Sequence, residues 1–128
     1  MQRVTGIGGI FFKSRDPAAL AAWYQRHLGV DVQGWGGAVF SWVTPDNPGG
    51  VGTTLWSAFK AETTYFAPST ADFMVNFRVA DLHGLIAALR AEGCEVVGEP
   101  QESEQGKFGW VMDPEGHKIE LWEPPAGQ

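Results

Sequence analysis

Asp16 and Asp81 stand 65 positions apart, and the chain repeats itself around them. At that offset Phe12 falls on Phe77, Lys13 on Arg78 and Leu20 on Leu85. A repeat of this length is one structural unit used twice, which restricts the fold more than any single motif does. Each copy opens with a strand pattern and passes directly into a helix. Residues 4–13, VTGIGGIFFK, read as the first strand. Asp16 then stands at an N-cap and Pro17 at the first helical position. Leu20, Trp23, Tyr24, His27 and Leu28 recur at helical spacing until Gly29 closes the helix. In the second copy Phe73, Val75, Phe77 and Val79 alternate with Met74, Asn76 and Arg78, two faces of one strand. Asp81 caps a helix carrying Leu82, Leu85, Ile86 and Leu89, and Gly93 closes it.

Strand signals follow each helix. Residues 30–32 and 38–43 are short apolar stretches parted by Gly34, Gly36 and Gly37, and read as a hairpin. PDNPGG (45–50) is a loop. Residues 51–59 are a strand with Thr54, Trp56 and Ala58 on one face and Thr53, Leu55 and Ser57 on the other. A polar connection of low pattern content covers 60–71. In the second copy 94–97 is a short strand, EPQESEQ (99–105) an acidic loop, and 106–124 a hairpin. The hairpin's turn, DPEG, has Asp first, Pro second and Gly fourth, the chemistry of a type I turn. Its second arm sets Ile119 and Leu121 on one face and Lys118, Glu120 and Trp122 on the other. The pattern predicts an α+β fold: one domain over 1–128, built of two βαβββ modules at about 1–60 and 71–124. Each module has one sheet face covered by its helix and one left open. Two open faces side by side give curled mixed β-sheets around a cleft, with the helices outside.

Charge narrows the partners. The formal net charge of −6 argues against nucleic acid and anionic membranes, which select basic surfaces. No apolar run reaches the length of a membrane span, the N-terminus lacks the order of a signal peptide, and a cytoplasmic location is expected. Cys94, the one cysteine, has no partner for an internal disulfide and is expected to pack as a small hydrophobe. His27 falls on the apolar helix face and is expected to be packed in the core or an interface; His83 and His117 are expected to be exposed. Six Trp and eight Phe exceed what a core of this size hides, so some are expected in a pocket wall or a subunit interface.

Three motifs carry a family resemblance: Asp16-Pro17 before a helix ending Tyr24-Gln-Arg-His-Leu28-Gly29, then Phe77-Arg-Val-Ala-Asp81-Leu82, then Asp113-Pro-Glu-Gly116 leading into Ile119-Glu120-Leu121-Trp122. In this order, on a duplicated frame, the chain resembles the vicinal oxygen chelate superfamily of glyoxalases, bleomycin-resistance proteins and extradiol dioxygenases. The resemblance implies a homodimer and a small-molecule ligand. It also implies four metal-ligand positions in metal-dependent members, which fall here on Gly9, a Thr53-to-Trp56 segment, Met74 and Glu120. Glycine offers no ligand and a thioether suits a hard ion poorly. Glu120 is the only retained ligand position, so no metal and no other cofactor is expected.

Strand parity then gives a candidate lining of Gly9, Phe11, Lys13, Met74, Asn76, Arg78, Glu120 and Trp122, with Trp42, Trp56 and Trp110 readable as pocket walls or as core. Lys13 matches the position where glyoxalase-type relatives hold a substrate carboxylate, and Arg78 is its repeat equivalent. The leading expectation is a metal-independent cleft that binds an anionic or polar aromatic ligand. The alternative is an enzyme of the lyase, isomerase or dioxygenase type, with Glu120 as general acid or base or in a non-standard metal site. A third possibility is a dimeric module whose cleft is filled by its own side chains.

Overall fold

The computed structural model describes residues 3–128, so the first two positions of the expected domain lie outside the described residues. Strand β1 spans Val4–Ser14 and leads into helix α1, Pro17–Leu28. Strands β2, Gly37–Ser41, and β3, Thr53–Lys60, complete the first half. The second half holds β4, Phe73–Val79, α2, Leu82–Ala91, β5, Glu95–Val96, β6, Gln101–Ser103, β7, Gly106–Met112, and β8, Lys118–Glu123. The eight strands form one mixed sheet in the order β2-β3-β1-β4-β8-β7-β5, with β6 also on β7. The sheet is curled and unclosed. The two halves meet where β1 runs antiparallel to β4.

Both helices start where their side chains dictate. Asp16 accepts a hydrogen bond from the Ala19 amide at 3.1 Å, and Asp81 from the Gly84 amide at 3.0 Å. Each bond satisfies one of the free amides that open a helix. Helix α1 ends at Gly29 in the left-handed conformation, φ 68°, which costs glycine nothing. Helix α2 lays Leu82, Leu85 and Ile86 on Val79, Val111 and Leu121, the core of the convex side. Phe12 and Trp56 pack on the α1 side at a ring separation of 5.4 Å, with Tyr24 4.7 Å from Trp56. The opposite, concave face carries a second cluster: Phe11, Met74, Trp110 and Phe66.

Three expectations are corrected. Residues 30–32 do not form a strand; the chain turns there, Gly36 bonding Gln33 and Gln33 bonding Gly37, and β2 pairs with β3 instead. The acidic loop contains β6, whose Gln101 and Glu102 pair with Phe108 and Lys107. The alternating, ordered β7 edge offers free backbone groups that a polar segment can satisfy as well as an apolar one. The connection at 60–71 is no passive linker. It folds over one end of the concave face and inserts Phe66, which is fully buried. The reading of Cys94 as a packed hydrophobe is also corrected, since it is exposed; His27 is exposed on this chain, not in its core, with its ring 5.2 Å from Trp23. His117 is half-buried and bonded to Asp113 at 2.8 Å.

Phe66 contacts Phe59 at a ring separation of 5.2 Å and belongs to the same cluster as Phe11, Met74 and Trp110. Phe66→Ala is expected to cost about 3–5 kcal/mol, the range for deleting a buried aromatic. Urea denaturation checks it. A loss well under 1 kcal/mol would mean that the connection is not part of the core.

Candidate functional site

The site grows out of β8. Alternation along HKIELW points Ile119 and Leu121 to α2, and so turns Lys118, Glu120 and Trp122 to the concave face. All three are buried; Glu120 is only 2% exposed. A buried carboxylate is costly unless donors meet it. Three do, each from a different element. The Trp110 indole, across the β7–β8 ladder, donates to Oε2 at 2.9 Å. The Asn76 amide, beside Glu120 in the β4–β8 ladder, donates to Oε1 at 2.7 Å. The Tyr65 hydroxyl, from the connection between β3 and β4, also donates to Oε2. These fill three of the roughly four acceptor positions of a carboxylate and leave one on Oε1.

Tyr65 lies flat on Phe59, ring centroids 5.8 Å apart, and edge-on to Trp110 at 6.4 Å. Burial, the Glu120 charge and the bond to Glu120 all push its phenol well above the ordinary value of 10. It therefore stays a donor throughout the neutral range. Lys118 donates to the Tyr65 carbonyl at 2.7 Å, with its ammonium 5.2 Å from the Tyr65 ring and 5.5 Å from Trp110. Burial lowers its pKa, and the Glu120 charge partly offsets that.

A cleft of about 810 Å³ opens above this floor. Phe11, Leu55, Phe59, Phe108 and Trp122 form its apolar walls, Asn76 and Glu120 its base, and Trp35, Glu104, Gln105 and Gln128 parts of its border. The expected residues divide accordingly. Phe11, Asn76, Glu120 and Trp122 line the cleft. Trp110 and Met74 are buried beneath it with Phe66. Trp56 faces α1 and is outside it. Lys13 does not line it either; its ammonium lies 5.9 Å over the Phe66 ring. Arg78 sits between Trp42 and Trp122, its guanidinium carbon 4.8 and 5.2 Å from their rings. It donates to the backbone oxygens of Thr53, at 3.1 Å, and Gln128. Trp42 thus supports Arg78 and bonds Thr54 at 2.9 Å, rather than forming a cleft wall.

Strand parity gave Gly9, which faces the ring of Phe11, and the structure adds Gly8. The β1–β4 register shifts between Ile7 and Gly9, and this bulge brings Gly8 to the cleft floor. A Cβ on Gly8 would collide with Asn76 Oδ1 and stand 3.0 Å from the Trp122 ring. Glycine is therefore required for the close approach of β1 to Asn76. Sequence reasoning missed Tyr65 altogether. The only signal was two adjacent aromatics, Tyr65 and Phe66, in an otherwise polar stretch.

A metal needs convergent lone pairs. Three of the roughly four acceptor positions of Glu120 already take N–H or O–H hydrogens, which leaves a single carboxylate position, a poor fit to a divalent ion. No group of three or more His, Cys, Asp or Glu side chains gathers to hold a metal among the described residues.

The model of the glyoxalase-like domain matches residues 9–122, nearly the whole chain. The chain belongs to the glyoxalase-like domain family. It is thereby a member of the vicinal oxygen chelate superfamily. Solved structures of the same fold include a methylmalonyl-CoA epimerase in complex with methylmalonyl-CoA and NH4+, 19% identical, with 98% of each chain covered and a TM-score of 0.69. Another is methylmalonyl-CoA epimerase from Mycobacterium tuberculosis, 22% identical over 98% of this chain and 91% of that one, TM-score 0.65. A Mn(II)-bound glyoxalase from Novosphingobium aromaticivorans is 18% identical over 96% of this chain and 40% of that one, TM-score 0.58. No curated protein matches. At these identities the likeness is one of fold.

The part-buried phenol of Tyr65, bonded to Glu120, gives this glyoxalase-like domain a pH signature. A raised folded pKa means that the folded state holds its proton more tightly than the unfolded chain does. Stability from Tyr65 is complete below pH 10 and falls as pH rises above it, where only the unfolded phenol ionises. In an absorbance titration of phenolate, one of the two tyrosines is expected to resist ionisation above pH 10 while the protein stays folded. Tyr65→Phe should remove the resistant step. Ionisation of both phenols near pH 10 would contradict the burial of Tyr65 on Glu120.

Proposed function

We propose that this glyoxalase-like domain is a metal-independent small-molecule binding protein that takes a flat, apolar-bodied ligand into its concave cleft. The observation that carries this reading is the floor of the cleft: a buried carboxylate held by three protein donors, with one acceptor position on Oε1 left over. Aromatic walls supply contact area with little loss of side-chain freedom, and one oriented acceptor supplies direction. A cleft of about 810 Å³ suits a ligand of ring-system size. The donor arrangement around Glu120 supports metal independence, because those groups do the stabilising that an ion does elsewhere. This is a bleomycin-resistance type of role more than a dioxygenase type.

An enzyme remains the second reading, favoured by one feature. Glu120 keeps its unused Oε1 position in a cleft whose fold neighbours include epimerases. Such an enzyme would use Glu120 to accept a proton from bound substrate. The proposal also includes a cytoplasmic homodimer. Its support is the exposed edge strand β2, with Phe40 about half exposed and Val43 exposed beyond it. No helix among the described residues is long and apolar enough to cross a membrane.

Metal analysis with thermal melting tests the proposal. Purified protein is expected to carry a divalent ion well below one per chain, and a chelator should leave its Tm unchanged. Aromatic ligands should raise Tm with concentration, by mass action. A stoichiometric ion whose removal lowers Tm would overturn metal independence. A chelator-insensitive melt that no aromatic compound shifts would overturn the binding role.

A further inference from the structure

The sequence places two cations, Lys13 and Arg78, where they could face an anionic ligand, and the structure takes both away. Lys13 is not among the cleft residues. Arg78 is committed to two backbone oxygens and two indole faces. Lys118, the other buried cation, is committed to the Tyr65 carbonyl beneath the floor. No lysine or arginine lines the cleft among the described residues, whereas two carboxylates do, Glu120 at the base and Glu104 at the exposed rim. A ligand carboxylate there would meet like charge with no counter-ion.

A second feature points the same way independently. Asn76 is 2% exposed, and its Nδ2 is spent on Glu120. Its Oδ1 is buried without a hydrogen-bond partner. The orphan acceptor lies on the cleft floor, against Gly8, next to the carboxylate. Native structures leave few such atoms unpaired. At the base of the cleft the carboxylate keeps one acceptor position of its own. Around it stand aromatic rings, whose faces are the negative ends of their quadrupoles.

We propose that the ligand of this cleft is a cation: a protonated or quaternary amine carried on a flat aromatic body. This rests on the reading of the cleft as a ligand site and names the chemical class it takes. The amine lies toward Glu120 at the base, or toward Glu104 at the rim, and the aromatic body lies between the ring walls. Recognition is by charge, by N–H donation and by cation–π contact.

Three probes with one indole body separate the possibilities: tryptamine, the neutral indole-3-ethanol, and indole-3-propionate. Calorimetric titration of the full chain is expected to give an affinity for tryptamine about tenfold above that for the alcohol, with the carboxylate weakest. Glu104→Gln, an exposed rim change, should cut the advantage of tryptamine over the alcohol. Alcohol or carboxylate binding as tight as that of tryptamine overturns the cationic class while keeping the cleft as a binding site. Failure of all three to bind overturns the binding reading and this inference with it.

Discussion

The Glu120 carboxylate is the charge around which this fold is arranged. Buried alone, an ionised carboxylate would cost several kcal/mol. It is stable here because a connection, β4 and β7 each deliver one donor to it. The three donors stand 55, 44 and 10 positions from Glu120 in the sequence. The requirement to satisfy one carboxylate thus fixes β7 beside β8, orients Asn76 across the ladder and draws the 60–71 connection over the concave face. Phe66, next to Tyr65, enters the core beside Phe11, Met74 and Trp110.

The two buried cations follow a common rule. Arg78 lies between Trp42 and Trp122, and Lys118 lies beside Tyr65 and Trp110. Each also donates to backbone oxygens. Aromatic faces and backbone oxygens replace the water that burial removes. Half of the six tryptophans are used in this way, as supports for charge (Trp42, Trp110 and Trp122). The consequence for function is direct. Positive charge is spent inside the framework, and the cleft keeps carboxylates and ring faces.

Much of the frame was legible in the chain. The caps at Asp16 and Asp81, the DPEG turn and the period-2 alternation of β4 and β8 each depend on local chemistry, and each matches the structure. The residues turned toward the concave side of β4 and β8 followed from parity alone. What escaped is non-local. Residues 30–32 look like a strand but have no neighbour to pair with; residues 101–103 look like a loop but find a free ladder edge. A one-residue bulge in β1 adds Gly8 to the face that holds Gly9 and Phe11, which no period in the sequence marks. Tyr65 lies in a stretch with no period, and only the tertiary position of Glu120 gives it a role. Lys13 and Arg78 were placed near the cleft by count, but the atoms that neutralise them come from elsewhere in the chain.

Coupling between Tyr65 and Glu120 tests the central claim most directly, that protein donors rather than an ion hold this carboxylate. A double-mutant cycle of Tyr65→Phe, Glu120→Gln and the pair, read by urea denaturation at neutral pH in chelator, isolates that coupling. The expected coupling is about 1–3 kcal/mol, the range for a hydrogen bond to a charged group. Additive losses, with coupling within about 0.3 kcal/mol of zero, would contradict it.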